Sequence, residues 1–114
     1  MAAVDSQEQY ADLAQALQEF WEAYTGVRPA RVRVAAGARA IAVWLEKAIS
    51  PAEQQMASTQ AGSEILQELE KRILEQAKPH IQQLVDEAIQ HKSILAEVHL
   101  DLATGNVLGF FQLE

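Results

Sequence analysis

The chain has no cysteine, only three prolines and five glycines, and few aromatics: two tryptophans, two tyrosines and three phenylalanines. Without cysteine it can form no disulfide, iron–sulfur cluster or thiolate zinc site. The glycines are scattered, and none falls into GxGxxG or GxxxxGK[ST], the spacings that let a backbone cradle phosphate. Ser50 and Ser63 stand outside any nucleophile-elbow context. No apolar run approaches the roughly 18–20 residues that a membrane span needs. Val107-Leu108-Gly109-Phe110-Phe111 is long enough only for a strand. Met1-Ala2-Ala3-Val4-Asp5 lacks the basic start and apolar stretch of a secretory signal. These absences predict a soluble, cytoplasmic protein that is not membrane-inserted and carries no cofactor or metal.

What is present is enough for one packed domain spanning 1–114, because 49% of the 114 residues are hydrophobic. The net charge is −7, and it is unevenly spread. Residues 1–25 hold Asp5, Glu8, Asp12, Glu19 and Glu22 and no base. Residues 28–47 reverse the sign, with Arg28, Arg31, Arg33, Arg39 and Lys47 against Glu46 alone. An acidic chain without a long basic stripe is repelled by nucleic acid and by anionic membranes. No nucleic-acid partner is expected.

Periodicity then sets the elements. Tyr10, Leu13, Ala14, Leu17, Phe20, Trp21 and Tyr24 recur every three or four residues, one face of an amphipathic helix. Asp5 or Ser6 is placed to cap it and Gly26 to end it. Pro29 leads into two alternating runs, Ala30 to Ala35 and Arg39 to Glu46, joined through Ala36-Gly37-Ala38. Val32, Val34, Ile41, Val43 and Leu45 share one face; Arg31, Arg33, Ala40, Ala42 and Trp44 share the other. Ser50-Pro51-Ala52-Glu53 is a helix start: serine caps, proline fits the first position, and glutamate completes a capping box. Ser58 to Ser63 reads as a break before a long helix from about Ser63 to His91. Pro79 should kink that helix, since it lacks an amide hydrogen. A second hairpin closes the pattern, with Leu102 facing Val107 and Val98 facing Phe111. Ile94, Ala96, Val98, Val107, Phe111 and Leu113 then point inward, and Leu95, Glu97, His99, Asp101, Leu108 and Phe110 outward. The order α-β-β-α-α-β-β predicts an α+β fold: a four-stranded antiparallel sheet from two hairpins, with helices on one face.

The order and spacing carry a family likeness. Gly26 and Pro29 precede Val32-Arg33-Val34 and Val43-Trp44-Leu45. Pro51-Ala52-Glu53, Gly62, the Arg72 to Val85 helix with Pro79, and Asp101 to Gly105 follow. From Tyr10 to Phe111 the chain resembles the MpsC family, named for a sodium-translocating, membrane-potential-generating system. It departs from that pattern where a glycine would follow the long helix, at His91-Lys92-Ser93, and in Val27-Arg28 before Pro29. The resemblance implies a soluble companion of a membrane ion or inorganic-carbon transport system, and supplies no catalytic residues.

Residues that carry chemistry are sparse. Glu97, His99 and Asp101 alternate on one strand, as an acid–base pair or metal site would. Side chains two apart on a strand stand about 7 Å from one another, which favours a solvated face instead. Glu87 and His91 lie one helical turn apart but lack a third ligand. Arg31 and Arg33 beside Trp44, Ala40 and Ala42 look like anchor chemistry for a protein contact. With Leu95, Leu108 and Phe110 they form the expected interface. The reading is a non-enzymatic accessory or scaffolding protein that forms a homo-oligomer and docks to a partner such as a membrane transport complex. The alternative is a sensor holding a small anion or nucleotide at the Arg31/Arg33 hairpin.

Overall fold

A computed structural model describes residues 10–113, apart from the side chains of Leu95 and Ala96. The caps expected at Asp5 and Ser6 lie outside the described residues. Helix α1 (Ala11–Thr25) turns Leu13, Ala14, Leu17 and Trp21 inward and ends at Gly26, whose φ of 81° is the left-handed geometry that glycine adopts without strain. The first hairpin follows as β1 (Arg31–Ala36) and β2 (Ala40–Glu46). Val32, Val34, Ile41, Val43 and Leu45 are all buried, as their alternation requires.

Helix α2 (Pro51–Met56) starts on the expected capping box. The Ser50 hydroxyl accepts from the Glu53 amide at 3.1 Å, and the Glu53 carboxylate accepts from the Ser50 amide at 2.8 Å. The break after it is shorter than Ser58 to Ser63. Thr59 caps α3 (Gln60–Ile89) by accepting the Gly62 amide at 3.0 Å, so most of that polar stretch is already helical. Gly62 is required there, because a Cβ would collide with the Met56 carbonyl oxygen. Helix α3 runs through Pro79 as one element, and its 30 residues at 1.5 Å each account for the 46 Å long axis of the molecule.

Strands β3 (Ser93–Asp101) and β4 (Asn106–Leu113) complete an antiparallel sheet of order β1-β2-β4-β3. The two hairpins therefore join through β2 and β4, the strands richest in buried residues, while the charged β1 and β3 lie outermost. The fold is α+β, with α1 packed against β1 and α3, and α3 packed against β3, on one face of the sheet.

The last hairpin departs from its expected register. Leu100 pairs with Val107 and Val98 with Gly109, two residues away from Leu102–Val107 and Val98–Phe111. The turn causes this. The Asp101 carboxylate accepts from the Ala103 amide and the Thr104 hydroxyl, both at 3.0 Å, and the Asp101 carbonyl accepts from the Gly105 amide at 2.7 Å. The chain therefore reverses immediately after Asp101. A bulge between Leu95 and Glu97 then shifts the alternation. Ile94, expected inside, pairs with exposed Gln112 and is 51% exposed, while the expectation for the Leu95 side chain lies outside the described residues.

Candidate functional site

The face of the sheet turned away from the helices is ordered in rows by the strand register. One row is Arg33, Trp44, Leu108 and His99; the next is Ala35, Ala42, Phe110 and Glu97; a third is Ala40, Gln112 and Ile94. All of these residues are exposed or half-buried, so no described helix covers them. Phe110 and Ile94 stand out from this surface, 42% and 51% exposed. Beside Phe110, the tip of the first hairpin forms an open hollow of about 400 Å³ walled by Ala35, Ala38, Ala40 and Ala42, with Arg39 at its edge.

Arg33 on this face is already engaged. The Arg33 guanidinium lies 5.3 Å from the centre of the Trp44 ring, and its Nε is 2.8 Å from Glu46 Oε2. Arg31 pairs across the hairpin with the same Glu46. The Glu46 carboxylate therefore lowers the attraction that the Arg33 guanidinium would offer a free anion. The ion pair is too exposed to add much stability, but stacking fixes the tryptophan's orientation. At the opposite side of the face, His99 Nε2 approaches Glu97 Oε2 to 3.2 Å. Their side chains lean together, so the expected gap between them closes. Asp101 does not join them, because its carboxylate holds the turn. Among the described residues no group of three His, Asp or Glu side chains is arranged to hold a metal. Glu87 and His91 border an open depression near the end of α3 without a third ligand.

The sequence pattern missed a second feature. Glu70 lies on the buried stripe of α3, between Leu66 and Leu74, and is only 3% exposed. Its carboxyl is hydrogen-bonded to that of Glu53 on α2. Burial first, then this hydrogen bond and the Glu53 charge, push the Glu70 carboxyl up to about 8. Burial alone would also raise Glu53, but hydrogen bonds from Glu70 and from the amide and hydroxyl of Ser50 bring it below its ordinary value. At neutral pH Glu70 therefore carries the shared proton and donates it to the Glu53 carboxylate. The signal was available: four-residue steps link Leu66, Glu70 and Leu74, so a glutamate occupies a core position.

The family model described as Na+-translocating membrane potential-generating system (MpsC) matches residues 6–114. The chain belongs to the MpsC family. No curated protein and no solved structure matches it. No described helix of this MpsC chain is long and apolar enough to cross a membrane. Where the expected family glycine is absent, the end of α3 is tied by side chains instead. Gln90 takes the left-handed cap at φ 54°, the Asp86 carboxylate accepts from the Ser93 amide at 2.9 Å and from its hydroxyl at 2.5 Å, and Gln82 donates to the Ser93 carbonyl at 2.7 Å.

Proposed function

We propose that this MpsC protein is a non-enzymatic accessory subunit that self-associates through the outer face of its sheet and serves a membrane ion-translocating system. One observation carries the reading: a sheet face that no described helix covers presents Trp44, Leu108, Phe110 and Ile94 among small alanines. A face meant for water carries polar residues at such positions. The surface also fits a second copy of itself. Phe110 is a knob beside an alanine-walled hollow, so a two-fold axis sets each knob against the other copy's hollow. The same axis brings the Arg31, Arg33 and Arg39 side over the Glu97 and Asp101 side. The alternative use of the hairpin as an anion or nucleotide sensor draws less support, because Glu46 already pairs with Arg33.

The link to ion translocation rests on the family description. The lack of a membrane-crossing described helix favours attachment through a partner, from the cytoplasm, rather than through a span of its own. Light scattering at tens of micromolar should return the mass of two chains. Trp44→Glu, which puts a charge in the middle of the contact, should shift the mass to one chain and leave the helical circular-dichroism signal unchanged. A wild-type protein that is already monomeric at that concentration overturns the self-association.

A further inference from the structure

Helix α2 is an odd element of this fold: it has six residues and none of them is buried. It has no apolar face to hold it down. Its entry is fixed through Ala48, whose carbonyl accepts the buried Trp21 indole at 2.8 Å and whose amide donates to the Gly105 carbonyl at 2.7 Å. Along the helix, Gln54 lies near Gly105, and Glu53 reaches inward to Glu70 on α3. Glu70 lines two cavities. One, about 340 Å³, is walled by Trp21, Tyr24, Ala48, Glu53 and Ile73; the other, about 410 Å³, lies between α3 and β3 against Leu74, Val98 and Leu100.

We propose that the Glu53–Glu70 pair is a proton-controlled latch: α2 is docked while the two carboxyls share a proton, and is released into solvent when that proton is lost. The groups facing Glu70 make the device one-sided. From α1 it meets Tyr24, whose hydroxyl donates to Gln76, and no described base. From α2 it meets Glu53 alone. Lys71, Glu75 and Lys78 of α3 and His99 of β3 line its other flank, where Lys71 and His99 are open to solvent. Loss of the proton leaves the buried Glu70 carboxylate against the half-buried Glu53 carboxylate, with no described cation on the α2 side to offset them. The element that can relieve this most cheaply is α2, because its departure breaks no apolar packing. Release also joins the two cavities at Glu70 and uncovers the Trp21 side of the core. This latch is independent of the outer sheet face and does not depend on self-association.

The sign of the pH dependence follows. Glu70 has a raised value, so its contribution to stability is complete below the ordinary 4.5 and is lost as pH rises towards about 8. Glu53, lowered, contributes above its ordinary value and loses that contribution as pH falls. The pair holds α2 most firmly in the mildly acidic range.

The test is an NMR titration of the whole protein, following the side-chain carboxyl carbons together with the amides of residues 51–57. The Glu70 carboxyl should titrate near pH 8, and the α2 amides should move towards unstructured positions with the same midpoint. In Glu70→Gln, which keeps the hydrogen bond to Glu53 without the titration, the α2 amides should stay docked up to pH 9. Should that variant fail to fold, Glu53→Gln serves: with no second carboxylate facing it, Glu70 should titrate lower and the α2 amides should stay docked through that titration. Glu70 titrating at an ordinary carboxylate pH overturns the latch. So does a high Glu70 midpoint with stationary α2 amides in the wild type, or an α2 release that persists in Glu53→Gln.

Discussion

Ser50, Glu53 and Glu70 show how much a single side chain can be asked to do in a small fold. Ser50 and Glu53 satisfy each other's backbone amides, which would otherwise be orphan donors at the start of α2. The Glu53 carboxylate also accepts from Glu70, so the capping box is wired into the core. Ser50→Ala removes the hydroxyl that accepts the Glu53 amide and should cost about 1 kcal/mol. The expected readout is a lower melting temperature with the oligomeric mass unchanged. Equal melting temperatures would mean that α2 contributes nothing to the cooperative unit. Gln90 illustrates the opposite economy, a non-glycine in the left-handed region held there by the Asp86 and Gln82 hydrogen bonds just beyond it.

Elements in this protein are positioned by their ends as much as by their faces. The elbow between α2 and α3 closes within Ala57–Thr59, and it does so because Gly62 lets the first turn of α3 pass directly beneath the Met56 carbonyl. Gly62→Ala would ordinarily favour a helix, since alanine is the better helix former. Here the collision is with backbone, which cannot rotate away, and the outcome should be a loss of about 1–3 kcal/mol. Urea unfolding decides between the two effects: a midpoint that rises in Gly62→Ala would show that the elbow opens freely. The β3–β4 hairpin is set likewise by its turn. Asp101 fixes where the chain reverses, and the bulge between Leu95 and Glu97 then breaks the alternation and leaves Ile94 exposed.

At the scale of the whole molecule, helices and sheet make two layers, and the described helices cover one face of the sheet. The charge divides with the architecture. Basic residues gather on the first hairpin, acidic residues on the α1 surface and along α3, and the sum is −7. Arg33 is paired within the hairpin by Glu46, and Arg28 with Glu22 at 2.8 Å, so no continuous basic track remains to follow a phosphate backbone. An unrelated DNA duplex should therefore fail to bind at physiological salt, as measured by fluorescence anisotropy. Saturable, steeply salt-dependent binding would contradict this account of the surface.

The sequence by itself determined the element order, the α+β class, the capping box at Ser50 and the buried faces of α1, β1 and β2. Those features depend on local backbone chemistry and on a fixed period, and both are written in neighbouring residues. It also carried the MpsC likeness and the outward placement of Trp44, Leu108 and Phe110. Tertiary structure alone decided the strand order, because pairing β2 with β4 brings together residues more than sixty positions apart. It decided the bulge that moves Ile94 out, since a bulge obeys the partner strand and the turn rather than its own alternation. And it gave Glu70 its character. In the sequence Glu70 is one acid among several on a long helix; only α2, folding back from the far side of an elbow, supplies the second carboxyl that makes its proton shared.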